Sequence, residues 1–522
     1  MDADVLIVGA GPTGLMLANQ LARRGVRALI IDRHAGPALQ SRALGVQART
    51  MEIYAQLGIV GRALELGKKG TGANIWADGR RMARVPLGET GRGVTPYPYI
   101  LILGQDDNER ILGERLRDLG GAVQWNTELT GIEQADGHVA ATLKHPDGTT
   151  RKLTAAWVAG CDGAHSAVRE LNGIGFPGAP YEHAFFVADT EVTGGMVPDE
   201  LNVYLWRKGF HLFFPMRGKD HWRIVGIVPE NLRGRDAITF DDVLPSVCAE
   251  AGAGSPVELS FTACTWFSIY RIHHRAASRF RERRCFLLGD AAHIHSPVGG
   301  QGMNTGLQDA YNLAWKLALV VQGKAGARLL DSYEDERIPV ARRLLATTDR
   351  AFMLVVNDSW LVGLLRTKVL ARIAAFALGL EPVRRLAFRT VSQTGIHYRP
   401  STLSQSTADL PEDAPRAGDR FPWLQLRFAA DGPVEDAFRK LDDLHVHLIA
   451  IGQPAPQMSA EGLLVHAIPT DPENARELAR AGIPPLAFYL VRPDGHIGLS
   501  GTNLEPGMVE RYLYGRLGFK SK

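Results

Sequence analysis

Cysteine is scarce in this chain. Its 522 residues include four, Cys161, Cys248, Cys264 and Cys285. No two of them form a CxxC pair, so neither a disulfide framework nor a zinc knuckle is expected, and a reducing cytoplasm fits. Excess charge of one sign is lacking as well. With 59 basic against 56 acidic residues the formal charge is +3, which gives no electrostatic footprint for nucleic acid. Long apolar runs are also missing. "VLIVGAGPTG" starts with only Val5 to Val8 as a continuous apolar stretch, behind Asp2 and Asp4 rather than basic residues, so no signal peptide is expected. The stretch "WLVGLLRTKVLARIAAFALGL" is interrupted by Arg366, Lys368 and Arg372. It reads as an amphipathic helix on a protein core, with a membrane-surface or dimer role as the alternative to a span.

What is present begins at the N-terminus. Val5–Val8 has the look of a buried parallel strand and runs directly into Gly9-Ala10-Gly11-Pro12-Thr13-Gly14, a GxGxxG. Helical spacing follows through Leu15, Ala18, Leu21 and Ala22 until Gly25 stops it. A second strand, Ala28–Ile31, ends at Asp32. The first glycine permits a tight turn, the second lets backbone approach a pyrophosphate, and the third allows close helix–strand packing. Unpaired N–H groups at the helix start suit phosphates, and an acid at position 32 suits ribose hydroxyls. This unit predicts dinucleotide binding and leaves NAD and FAD unresolved.

Two later segments bear on that choice. "WVAGCDGAHSAVRELNGIGF" has a strand ending at Asp162-Gly163, with a helix starting at Ser166; Asp162 as a turn or capping residue is the alternative to a ligand role. "CFLLGDAAHIHSPVGGQGMNTGLQDAYNLAWKLALVV" has a strand, then Gly289-Asp290, then a helix with Leu307, Ala310, Tyr311, Ala314, Leu317, Ala318 and Val321 on one face. With its GxGxxG and Asp32, its Asp162-Gly163 and its GD…P…GGQGMN segment, the chain resembles the single-component flavin-dependent aromatic hydroxylases of the p-hydroxybenzoate and phenol hydroxylase type. The resemblance covers most of the first 400 residues and, more faintly, the rest.

That resemblance implies bound FAD and the following assignments. Gly9, Gly11, Gly14, Asp32 and Arg33 would hold the ADP half, Asp162 and Asp290 the middle of the cofactor, and Gln105 a further FAD contact. Arg42 would lie near the isoalloxazine, and backbone N–H groups of Gly302, Met303 and Asn304 would face the flavin pyrimidine edge, where a helix N-terminus stabilises an anion. Pro297, Val298 and Gly299 would form the bend where ring and substrate meet. No second strand–GxGxxG–helix unit occurs, so NAD(P)H is expected as a transient co-substrate, and Arg33 and His34 leave NADH and NADPH undecided. His293 and His295 lack a third ligand, and no metal is expected.

From about Tyr181 to Phe280 the pattern changes to short alternating runs. "NVYLWRKGFHLFFPMR" reads as two strands joined at Lys208-Gly209, and "HWRIVGIV" as another. Trp206, His211, Phe213, Trp222 and Tyr270 are candidates for an aromatic substrate pocket, each with core packing as the alternative. Where phenol hydroxylases carry an aspartate in R.ADG, this chain has Leu44 in "SRALG", which aligns it with polyketide-tailoring and rifampicin-type monooxygenases. No catalytic base is assigned; Arg42, His211 and Pro297 are the candidates.

The resemblance implies hydroxylation of a phenolic or polycyclic aromatic compound with NAD(P)H and O₂ through a flavin hydroperoxide. The rivals are Baeyer–Villiger or epoxidising chemistry, a dehydrogenase, and a flavin-bearing protein that only binds an aromatic ligand.

After "STLSQSTADLPEDAPRAGDRFP" the strands "HVHLIAIG", "LLVHAIPT" and "AFYLVRPDGHIGLSG" alternate with helical "PENARELARAG" and "MVERYLYGRL". This part resembles the thioredoxin-like tail of phenol hydroxylase relatives, and having no cysteine it cannot perform thiol redox chemistry. The expected fold is therefore α/β, with a Rossmann-like FAD-binding domain, a mixed β-sheet substrate domain and a C-terminal thioredoxin-like domain. The expected boundaries are 1–180 and 281–398 for FAD binding, 181–280 for substrate (with 76–97 contributing), and 399–522 for the tail. A monomer or homodimer is expected.

Overall fold

The structure is a computed structural model. It describes residues 1–520 apart from 39–42, 78, 207–208, 236, 253–258, 295–299, 357–375, 378 and 459. Arg42, His295, Pro297, Val298, Gly299, Lys208 and most of the amphipathic stretch after Trp360 thus lie outside the described residues.

Four parallel strands form the spine of the first sheet: β1 (Ala3–Val8), β2 (Ala28–Ile31), β3 (Thr150–Gly160) and β4 (Cys285–Leu287), side by side in the order β4-β3-β1-β2. Val5, Leu6, Ile7 and Val8 are buried because helices cover both faces, and apolar side chains therefore succeed one another without alternation. Helix α1 (Pro12–Ala22) starts with proline in its first turn, where the fixed φ suits the helix and the missing N–H costs nothing. It stops just before Gly25, which has φ +70°. Helices α2 (Ala48–Leu57) and α3 (Gln105–Asp118) add to the same core.

The second sheet has eight strands. From edge to edge they are His293–Ile294, Ser260–Ala276, Gly178–Thr193, His221–Ile227, Gly209–Pro215, Leu201–Trp206, Gly72–Ala77 and Arg80–Pro86. The early hairpin joining this sheet spans 72–86 rather than 76–97. Its last pair is Gly72 with Pro86, and proline has no N–H for a further ladder bond. Helix α4 (Phe240–Gly252) covers one face through Phe240, Val243 and Val247.

The chain then returns to the first sheet through β4 and continues into α5 (Gly302–Val321) and α6 (Ser332–Val356). The apolar face read from the sequence is the buried one, with Leu307, Ala310, Ala314 and Leu317 in the core. The helix begins at Gly302, where the resemblance places its N-terminus, and packs on α1 near its start: a Cβ at Gly306 would clash with the Thr13 hydroxyl.

A third sheet closes the chain: β5 (Val446–Ile451), β6 (Leu463–Ile468), β7 (Ala487–Val491) and β8 (Ile497–Gly501), in the order β8-β7-β5-β6 with Gln405–Ser406 beside β8. β5 and β6 are parallel, whereas β7 runs antiparallel to both β5 and β8. Helix α7 (Pro472–Arg480) links β6 to β7, capped by the Asp471 carboxylate, which accepts from the N–H groups of Glu473 and Asn474. "MVERYLYGRL" is not one regular helix: Pro506–Glu510 is α-helical and Arg511–Arg516 widens into a π turn. Among the described residues no helix is long and apolar enough to cross a membrane.

Candidate functional site

The parallel register brings four loops to one edge. Val8 lies opposite Gly160 and Ile31, and Gly160 opposite Leu287. The chain therefore leaves all four strands at one level, outside their carboxyl ends, where open α/β sheets bind ligands. Backbone bonds stitch these exits together: Gly9 N–H donates to the Ile31 carbonyl (2.8 Å), Cys161 N–H to Val8 (2.7 Å) and Leu288 N–H to Gly160 (2.9 Å).

The three glycines of the first loop differ. Gly9 has φ +102°, and a Cβ there would strike the Cys161 carbonyl; a Cβ at Gly14 would strike the Gly9 carbonyl oxygen. Both are required by close packing. Gly11 is not: its φ is −69° and a Cβ would meet no protein atom within 4 Å. It caps α1 beside open space, with backbone N–H groups of the first turn lacking intrahelical partners. A side chain here would intrude only on something bound, which fits the pyrophosphate of a dinucleotide.

Asp32 closes the second loop. Its carboxylate accepts from Ala10 N–H (2.7 Å) and His34 N–H (2.9 Å), while Arg33 is exposed. Asp162 takes the capping role and keeps an oxygen aside from it. One oxygen accepts from Val168 N–H (3.1 Å) at the start of the Ala167–Leu171 helix, whose N-cap is Ser166. The other is buried without a partner among the described residues, and burial pushes this carboxyl up in pKa. Asp290 follows β4 in a tight 3₁₀ turn. Its side chain is solvent-accessible, yet the surrounding protein raises its pKa, opposed only by His293. The turn packs on α1, since a Cβ at Gly289 would come 2.7 Å from the Thr13 hydroxyl.

A buried carboxylate missed in the sequence holds this turn. Asp309 on α5 accepts from Gly289 N–H (3.0 Å), from His293 Nε2 (2.7 Å) and from Arg337 Nε (2.6 Å). Burial alone would raise its pKa, but Arg337 and His293 outweigh that and hold it low. His293 is thus a structural partner of a carboxylate, and among the described residues no group of three His, Cys, Asp or Glu could hold a metal.

At the start of α5 the Asn304 side chain turns toward the protein. It accepts from Gln47 N–H (2.9 Å) and donates to the Gly45 (2.7 Å) and Gly300 (2.8 Å) carbonyls. Gly302, Met303 and Asn304 offer backbone N–H groups without helical acceptors at this point. Gln105 begins α3, donates from its amide to Glu109 (2.9 Å) and, through its backbone, to Ala43 (3.0 Å). A cavity of about 600 Å³ opens nearby, between Leu15, Ala38, Glu109 and Trp125.

The expected aromatic pocket needs correction. Trp206, His211, Phe213 and Trp222 share one face of the second sheet, the one α4 covers, whereas Tyr270 lies on the other with Phe185 and Phe210. Sheet alternation is the reason, since neighbouring residues point to opposite faces. Phe213 and Trp222 are core. His211 stacks on Trp206 (5.8 Å between centroids), and neither of its ring nitrogens has a hydrogen-bond partner among the described residues. Burial pushes its pKa down to about 3, so the ring is neutral near neutral pH. The positions one step away were missed: Leu205, Phe210 and Leu212 on the face of Tyr270, with Arg223 clasping Asp189 (2.6 Å) and stacked under Trp266 (5.0 Å). The alternation itself was the signal.

His211 yields a stability prediction. Its pKa is depressed in the folded state, so the unfolded chain binds the extra proton and stability falls as pH drops from about 6.5 toward 3. At pH 5 the loss from this group is about 2 kcal/mol. His211→Phe should flatten the fall in denaturation midpoint between pH 7 and pH 5; an equally steep fall in the variant would exclude His211 as its cause.

The chain belongs to the FAD-binding family of flavin-dependent aromatic monooxygenases: the family's FAD binding domain model matches residues 2–348. It is 34% identical to 6-methylpretetramide 4-monooxygenase of Streptomyces rimosus, across 95% of this chain and 90% of that one. It superposes on the anhydrotetracycline hydroxylase structure from Streptomyces rimosus with a TM-score of 0.78, 29% identity and 100% coverage of both chains. It also superposes on aklavinone-11 hydroxylase, solved with FAD and aklavinone, with a TM-score of 0.79, 27% identity and 99% coverage of both chains.

Proposed function

We infer that this monooxygenase hydroxylates a polycyclic phenol of polyketide type, with NAD(P)H as the transient reductant. The observation carrying the reading is the convergence of the Gly9–Gly14, Asp32, Asp162 and Asp290 loops at one sheet edge, beside a second sheet. Relatives named for 6-methylpretetramide, anhydrotetracycline and aklavinone support the substrate class.

In this reading Gly11 and the α1 N-terminus bind the pyrophosphate, and Asp32 the adenosine ribose. Asp162 and Asp290 accept hydrogen bonds along the middle of the cofactor, and Gln105 contacts it nearby. The N–H groups of Gly302, Met303 and Asn304 favour negative charge on the flavin edge. FAD, when bound, supplies the redox chemistry: reduction by NAD(P)H and activation of O₂. The chain's task is to orient the phenol and exclude water, and we assign that wall to the sheet face carrying Leu205, Leu212 and Tyr270, because α4 fills the other.

The tail at 399–522 is thioredoxin-like in this reading. Its β8-β7-β5-β6 order, with β5 and β6 parallel and β7 antiparallel to both β5 and β8, supports that, and its lack of cysteine gives it a packing role. We assign FAD binding to 1–180 and 281–398, the substrate sheet to 181–280 with the 72–86 hairpin, and a cytoplasmic setting.

Asp290→Ala tests the cofactor geometry. FAD titration followed by flavin fluorescence should show retention weakened about tenfold, roughly one lost hydrogen bond to a charged group. Unchanged affinity would remove Asp290 from the site.

A further inference from the structure

The C-terminal sheet reaches the flavin grip through one turn. Arg492, Pro493, Asp494 and Gly495 connect β7 to β8 and wedge between α2, α5 and α6. Arg492 is 1% exposed and clasps Glu336 of α6 with both terminal nitrogens (2.6 and 2.9 Å). Asp494 accepts from Asn312 and Trp315 of α5 (3.3 Å each) and ion-pairs with Arg492. Tyr311 donates its hydroxyl to the Pro493 carbonyl (3.3 Å), and Arg49 of α2 donates to that of Asp494 (2.6 Å).

These contacts adjoin the group that holds the Gly289–Asp290 turn. Glu336 precedes Arg337, whose guanidinium grips Asp309, and Asp309 accepts from Gly289 N–H. Asn312 and Lys316, one and two turns beyond Asp309 on α5, both donate to Glu336 (2.7 Å each). Arg337 also donates to the Thr305 carbonyl in the first turns of α5 (3.1 Å). A buried polar network therefore runs from the C-terminal turn to the Asp290 turn and to the first turns of α5.

We propose that Arg492 is a positioning residue for the flavin: the C-terminal unit, devoid of thiol chemistry, fixes α5 against α6 so that the Asp290 turn and the α5 N-terminus keep their spacing. This rests on the FAD assignment above. Glu336 keeps Lys316, Asn312 and Ser401 as partners when Arg492 is removed, so the fold has a means to survive while the register of the two helices loosens.

The test uses the full-length holoprotein carrying Arg492→Met, the conservative Arg492→Lys, and Tyr311→Phe, which removes one hydroxyl and no charge. The readouts are FAD dissociation constant, bound-flavin absorbance spectrum, and peroxide released per NAD(P)H oxidised with a stimulating phenol. R492M is expected to weaken FAD binding about tenfold, shift the bound-flavin spectrum and raise the peroxide fraction. R492K should restore part of each, and Y311F should shift them slightly in the same direction. A lowered melting temperature with FAD affinity, spectrum and peroxide fraction unchanged would overturn the proposal. Should R492M not fold, unchanged spectra and affinity in both R492K and Y311F would overturn it. Unmodified protein that fails to bind FAD would instead refute the underlying cofactor assignment.

Discussion

Replacing Gly11 by valine is expected to leave the apoprotein folded and to abolish FAD retention. The backbone at Gly11 is extended, with φ −69° and ψ −178°, a conformation β-branched residues adopt readily. No protein atom lies within 4 Å of the Cβ it would acquire. The added methyls would occupy the space over the α1 N-terminus, where phosphate oxygens must approach backbone N–H groups. A loss of about 100-fold in FAD affinity, near 3 kcal/mol, is the expected scale. Gly14→Ala supplies the contrast. Its Cβ would be driven into the Gly9 carbonyl oxygen, so the strand–helix junction itself must move, and the melting temperature should fall with or without FAD. Equilibrium dialysis together with thermal melts of the apoproteins separates the two. A G11V apoprotein that melts like the parent and still binds FAD tightly would show that the crevice over α1 is not the phosphate site.

Asp309→Ala should be among the most destabilising single changes in the chain. The carboxylate and its Arg337 partner are both fully buried, and removing one member of such a pair leaves an uncompensated charge, at a cost of about 3–5 kcal/mol. Gly289 N–H and His293 lose their acceptor at the same time, so the Asp290 turn loosens too. Asp309→Asn keeps the shape and loses the charge, and should fall between parent and alanine variant in urea midpoint. The pH dependence has a defined sign. The folded pKa of Asp309 is depressed, so its contribution is present above the ordinary carboxylate range and is lost as pH falls through the lowered value. Midpoints for D309A equal to the parent at neutral pH would show that Arg337 finds another partner.

The contrast between Asp32 and Asp309 marks what could be read from residues alone. Asp32, Asp162 and Asp290 each end an apolar strand, and local pattern suffices to find them. Asp309 sits within a helix, and its partners His293 and Arg337 are 16 and 28 residues away, so only the packing of α5 on α6 reveals the triad. The substrate sheet shows the opposite difficulty. Its strands were legible, yet "LWRKGFHLFFP" carries apolar residues on both faces, and composition does not say which face α4 will cover. Picking Trp206, His211 and Phe213 by chemical character selected the face α4 covers, where His211 and Phe213 are fully buried and Trp206 is half-buried; Leu205, Phe210 and Leu212 alternate with them on the other side. The spacing of Leu307 and Ala310 marked the buried face of α5 and the resemblance its N-terminus at Gly302, whereas the contact of Gly306 with Thr13 of α1 shows only in the packing.

The central claim is tested most directly by turnover under isotopically labelled dioxygen. Protein reconstituted with FAD is supplied with NAD(P)H and a panel of polycyclic phenols, and products are read by mass spectrometry alongside peroxide. The expected result is phenol-stimulated NAD(P)H oxidation yielding a ring-hydroxylated product that carries one atom of the label. A product formed without dioxygen, or label incorporated as a lactone or epoxide rather than a ring hydroxyl, would contradict the account.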